Sequence, residues 1–198
     1  MMSPRSKQQF EELRASSTAK ILSAALELFG TIGFQATTIS RIAEKAGVSK
    51  GLIYNYFDSK EALLKTMIEE LAKEGDKVMT ISKSDDPTAM LESMIRGAIG
   101  WLRDHEKQNR LIMSLITQVD QFDFVQEMAN TKMIEFLEIL SDLLKKINFP
   151  NYRTEARILA TLFDGIGMQY LVLKQDYPLD EIEEMLVVRY CRPKKMDE

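Results

Sequence analysis

The stretch from Thr37 to Leu64, TTISRIAEKAGVSKGLIYNYFDSKEALL, leaves few packings open to this chain. Two short amphipathic segments meet there across a very short link. Helices can cross that closely only with a small residue at the crossing, a glycine in the turn and apolar residues behind both. Ala43 is the small residue, Gly47 the turn, and Ile42, Ala46, Val48 and Ile53 the apolar backing. Agreement at six fixed positions predicts a helix-turn-helix over the plainer reading, an arbitrary amphipathic helix pair. Thr38 is the expected N-cap of the first helix, running to Ala46. Ser49 is the expected cap of the second, ending near Phe57, and Asp58 with Glu61 forms a capping box opening a fourth.

At about 100° per residue, Ile53 and Phe57 share the inward side of the second segment. Gly51 and Asn55 then point outward, with Tyr54 on one flank and Leu52 and Tyr56 on the other. An outward glycine costs a helix about 0.5–1 kcal/mol against alanine, which makes sense where backbone must approach a partner closely. The groove of duplex DNA suits such a face. Asparagine pairs with adenine, leucine touches a thymine methyl, and tyrosine meets base edges or phosphates; the bland alternative for each tyrosine is a half-buried helix-end aromatic. Charge points the same way: residues 1–60 hold 8 Lys/Arg against 5 Asp/Glu, while the whole chain of 198 residues is at −4. Only the first segment suits a polyanion.

Apolar residues recur at helical spacing along almost all of the chain, so the expected fold class is all-α, with about nine helices. Helix 1 carries Ile21, Ala25, Leu28, Phe29 and Ile32 on one side and stops at Gly33; its start lies near Ser16 to Thr18 or earlier. The polar stretch at 82–88, with Pro87 fit to open a helix, precedes helices expected at 88–104, 106–118, 122–147, 153–174 and 179–190. The tail from residue 192 reads as disordered. The expected domains are a helix-turn-helix domain over 1–60, with helix 4 as connector, and a larger helical domain over 61–198.

One cysteine (Cys191), one histidine (His105) and no glycine-rich phosphate loop exclude the common catalytic constellations. No enzyme activity, cofactor or metal is expected. With no apolar run of the length a membrane span needs and no secretory stretch at the start, the expected location is the cytoplasm, with no membrane partner.

The segment GVSKGLIYNYFDSKEALL, preceded by LSAALELFGTIGFQATTISRIAEKAG, resembles the signature of the tetracycline-repressor (TetR) family. The likeness covers about residues 17–64, with Tyr56 where many members carry histidine. It implies that Thr38, Ser49, Lys50 and Lys60 bind phosphates while Gly51, Leu52, Tyr54, Asn55 and Tyr56 face bases. It further implies a homodimeric, ligand-responsive repressor of a pseudo-palindromic operator, with helices 5 to 7 around a pocket and helices 8 and 9 forming the dimer. A structural or adaptor bundle that does not bind DNA is the alternative.

Residues 156–173 are apolar almost all round, which signals burial on two sides. Gly165, Gly167 and Met168 of this helix, with Ile182, Met185 and Leu186 of the next, are the expected dimer residues; the alternative is the central helix of a monomeric bundle. Trp101, His105, Met113, Gln118, Phe122, Phe124 and Tyr170 mix apolar surface with few polar groups. They fit the wall of a pocket for a small, mostly apolar effector, or plain core. His105, within RDHEK, also reads as a solvated helix-end residue, and Cys191 as an incidental thiol.

Overall fold

Helical spacing in the sequence is realised throughout the computed structural model, which describes residues 7–79, 84–116 and 122–192. Among the described residues there are nine α-helices and no strand. They are α1 (Lys7–Ile32), α2 (Ile39–Ala46), α3 (Lys50–Tyr54), α4 (Lys60–Met79), α5 (Pro87–Asp104), α6 (Glu106–Ile116), α7 (Asp123–Lys146), α8 (Tyr152–Leu173) and α9 (Leu179–Cys191). Helix limits from α5 onward fall within about two residues of those the periodicity implies, because turn residues mark them. Asp86 caps α5 by accepting from Thr88 N at 2.9 Å, with Pro87 in the first turn. The tail beyond Arg192 lies outside the described residues.

The chain divides into two compact units, Met1–Glu70 with Arg110–Thr117, and Leu71–Asn109 with Gln118–Glu198. The division falls inside α4, the helix that the sequence reading takes as the connector. In the first unit Ile21, Ala25 and Phe29 of α1 are buried, together with Phe34, Ile42, Ile53, Phe57, Leu63 and Leu64. Ile32, expected on the buried side of α1, is 42% exposed, since the helix ends there and Gly33 turns the chain away at φ 81°.

In the second unit α5 packs on α9 and α7, and α7 packs on α8. Leu91, Ile95 and Ile99 meet Leu140, Leu144, Leu159, Val187 and Tyr190 in one core. Arg96 of α5 bridges Glu92, Glu183 and Glu184, and Arg103 reaches Asp180 of α9 at 2.6 Å. These carboxylates hold the Arg96 guanidinium proton more firmly than usual. The pairs are largely exposed and fix the register of α5 on α9 more than they stabilise it.

By length and composition α8 with the turn after it, Tyr152–Asp176, is apolar enough to cross a membrane. Its apolar residues divide instead. Ala156, Leu159, Ala160, Ile166 and Gly167 enter the core, while Ile158, Met168 and Val172 lie exposed.

Cys191 is buried at the end of α9, and that burial pushes its thiol up to about 11. The thiolate, the reactive form, is therefore scarce at neutral pH. Disulfide-exchange reagents should modify the folded protein at least about tenfold more slowly than the denatured chain; equal rates in a thiol-release assay would show that the end of α9 opens freely.

Candidate nucleic-acid interface

Apolar and capping residues hold α2 and α3 in place. Thr38 Oγ1 accepts the backbone N–H of Arg41 at 3.2 Å, and Ser49 Oγ accepts that of Leu52 at 3.1 Å, so each helix starts where the sequence places its cap. Gly47 ends α2 at φ 66°, donating to the carbonyl of Glu44, while Val48 N donates to that of Ala43. This pairing closes the helix end and requires a left-handed residue. Ile42, Ala43 and Ile53 are buried at the crossing, with Ala46 and Val48 half-buried beside it.

Two local readings differ from the structure. Helix α3 ends at Tyr54, not near Phe57, and Asn55 is its C-cap, donating through its backbone N–H to Gly51 O. The cap of α4 is Ser59, whose Oγ accepts from Ala62 N at 3.0 Å, not the Asp58 box. Docking of Phe57 into the core uses the residues that would otherwise continue α3, and the chain re-enters helix one position later.

Gly51, Tyr54 and Asn55 are exposed, and Leu52 and Tyr56 are half-buried. A Cβ built on Gly51 would find only Ser49 Oγ at 4.0 Å, so the protein's own packing places no demand for glycine there. Both tyrosines carry a cation over the ring: Lys50 Nζ lies 5.9 Å from the Tyr54 centroid, and the Arg14 guanidinium 5.3 Å from that of Tyr56. Sequence reasoning missed Arg14, which sits on α1 outside the signature segment.

Thr38, Ser49 and Lys50 are exposed near the starts of α2 and α3, and each capping hydroxyl keeps its own proton to donate. Lys60, assigned to a phosphate by resemblance, is differently engaged. Its ammonium donates to Phe34 O at 2.7 Å and to Thr37 O at 2.9 Å, and lies 4.1 Å from the Phe34 ring centroid. Thr37, beside the cap of α2, is fully buried and donates through Oγ1 to Gly33 O at 2.8 Å.

In the second unit, Trp101 stacks on His105 with centroids 5.2 Å apart and planes 6° from parallel. His105 is thus half-buried, not solvated as the RDHEK context implies. The indole Nε1 of Trp101 is buried without a hydrogen-bond partner among the described residues. Phe122 is buried against Phe124, and Tyr170 is half-buried near Tyr177. Met113 is half-buried on α6 in the first unit, and Gln118 lies outside the described residues.

The expected dimer residues separate. Met168 and Met185 are 61% and 67% exposed. Gly167 is buried, with Leu102 Cδ2 only 3.2 Å from where a Cβ would sit, and Asn109 donates to its carbonyl at 3.0 Å. Leu186 is buried and Ile182 packs on the same core, so these three serve the protomer. Gly165 has nothing within 4 Å of its Cβ position.

Residues 21–67 match the family model described as bacterial regulatory proteins, tetR family. The chain is 38% identical over 101 residues to the HTH-type transcriptional regulator RutR of Escherichia coli K12, covering 50% of this chain and 48% of RutR. It thus spans about half the length of the first curated relatives it matches. Among solved structures, a TetR-like transcriptional regulator from Rhodococcus sp. RHA1 superposes with a TM-score of 0.76 at 21% identity, over 89% of this chain and 94% of that one. A regulator from Saccharomonospora viridis in complex with choline superposes with a TM-score of 0.73 at 19% identity, over 87% and 94%. Both carry the same all-helical fold.

Proposed function

We propose, for a chain that belongs through residues 21–67 to the tetR family of bacterial regulatory proteins, that it is a ligand-responsive transcriptional repressor that binds a pseudo-palindromic operator as a homodimer. The exposed row formed by Gly51 and Tyr54 of α3 and its C-cap Asn55, on a short helix that opens with the Ser49 capping hydroxyl and Lys50, carries this reading. Thr38, Ser49 and Lys50 contact phosphates and set the register. Gly51, Leu52, Tyr54, Asn55 and Tyr56 face bases, with Asn55 suited to adenine. A non-DNA-binding adaptor bundle gives no reason for an exposed glycine that the chain's own packing does not need.

Two copies of α3 would enter successive major grooves about 34–36 Å apart. The outward residues of α8 and α9, among them Gly165, Met168, Val172, Met185 and Val188, form the seam between copies. The effector is a small, mostly apolar molecule in the second unit beside Trp101, His105, Phe122, Phe124 and Tyr170. Its hydrogen-bond acceptor meets the unpartnered indole N–H of Trp101, since buried donors rarely stay unmatched. Occupancy acts on DNA affinity through α4, unbroken from Lys60 to Met79. The choline found in a structural neighbour is consistent with an effector of this size.

Selection of bound fragments from the host genome, followed by titration of the recovered duplex at several salt concentrations, tests the reading. With about three to four phosphate contacts per subunit, the log–log slope is expected near about −5 to −7. A slope near zero, or no enrichment over random fragments, rejects DNA binding.

A further inference from the structure

A lysine as the first residue of a helix sits against the positive end of the helix dipole, so its charge needs another use. Lys60 has one. Its ammonium reaches back 26 residues to the carbonyl of Phe34 and 23 to that of Thr37, across the face of the Phe34 ring. Those carbonyls belong to the loop 33–38 between α1 and α2, which is held by side chains along its length. Thr37 Oγ1 donates to Gly33 O, and Arg41 Nη1 to Ala36 O at 3.3 Å. The loop ends in Thr38, the N-cap on which α2 begins. Phe34 is itself buried, with its ring 5.1 Å from that of Phe29.

We propose that Lys60 is a positioning residue: by clamping the carbonyls of Phe34 and Thr37, it fixes the start of α2 to the first turn of α4 and so sets the aim of α3. The inference deepens the DNA-binding reading and rests on it. It assigns to Lys60 a role other than contact with the DNA backbone. It also makes the first turn of α4 and the start of α2 one rigid piece, so that a displacement entering α4 moves the reading helix with it. The charge-assisted bonds suit such a joint, being shorter and stronger than neutral ones.

The test compares wild type with Lys60→Met, which keeps the side-chain bulk and removes the ammonium, on the duplex recovered from genomic selection and on a random duplex of equal length. Wild-type binding to the recovered duplex establishes the underlying reading, and its absence removes both proposals. With binding in hand, the clamp predicts about tenfold weaker binding to the selected duplex, little change on the random one, and an unaltered salt slope on both. A phosphate contact predicts the reverse: both duplexes weakened alike, and a slope shallower by about 2 per dimer. That result, or wild-type discrimination in Lys60→Met, overturns the inference.

Wild-type protein labelled with 15N-lysine gives a second measurement that does not depend on the variant folding. The Lys60 ammonium resonance, assigned by its proximity to the Phe34 ring, is expected to keep its shift when the selected duplex is added. A large shift, as a new phosphate partner would produce, refutes the clamp.

Discussion

Gly165→Glu is expected to yield a monomer that folds normally and has lost operator binding. Nothing lies within 4 Å of a Cβ at this position, and replacing glycine inside a helix favours the helix by about 0.5–1 kcal/mol, so the protomer tolerates the change. The neighbouring outward residues Ile158, Met168 and Val172 are apolar and exposed on a 22-residue helix, a surface that another copy of the chain would cover. Two-fold symmetry places a new carboxylate in that seam from each subunit, and an unpaired buried charge costs about 3–5 kcal/mol. A monomer presents one α3 instead of two, and affinity falls toward the non-specific level, about a thousandfold or more below the specific one. Sedimentation velocity and fluorescence anisotropy on the same sample read both effects. An intact dimer with full affinity would remove Gly165 from the seam, whereas unfolding in circular dichroism would contradict the open space around it.

A second large effect is expected from Gly51→Leu. Leucine is the better helix former, and the nearest atom to the added Cβ is Ser49 Oγ at 4.0 Å, so thermal stability should hold or rise slightly. If α3 meets the groove as proposed, the same side chain would stand where backbone comes closest to the duplex. Binding to the selected duplex should weaken by about 10- to 100-fold, in the range of losing one good base contact. The opposed signs are the informative part. A protein that melts no lower but binds far less tightly has lost a surface, not a fold. If Gly51→Leu binds as wild type does, the exposed row of α3 does not approach the duplex.

What could be read from sequence follows from how local each signal is. Caps, turn glycines and apolar spacing act over three to five residues, so α2, the turn at Gly47 and the limits of α5 to α9 were legible. Facing was harder where a helix is apolar all round. Gly165 and Gly167 lie two residues apart, about 200° around the helix, so one opening outward puts the other into the core, where Leu102 and Asn109 meet it. Met185 and Leu186 divide for the same reason. Lys60 shows another limit. Its acceptors are backbone carbonyls more than twenty residues away, and no side-chain pattern reports them. The stacking of His105 on Trp101 likewise arises only when α5 ends in a turn that folds the imidazole back, a geometry hidden behind the charged neighbours Asp104 and Glu106.

The brevity of α3 has a consequence for how such a protein changes over generations. Five residues cannot sustain a helix in isolation. This one stands because Ser49 starts it, Ile53 and Phe57 anchor it, and Gly47 delivers the chain to it. None of those tasks falls to Gly51, Tyr54 or Asn55. Lineages can therefore rewrite the exposed letters of α3, and with them whatever partner that surface meets, while the inherited mount goes on folding unchanged.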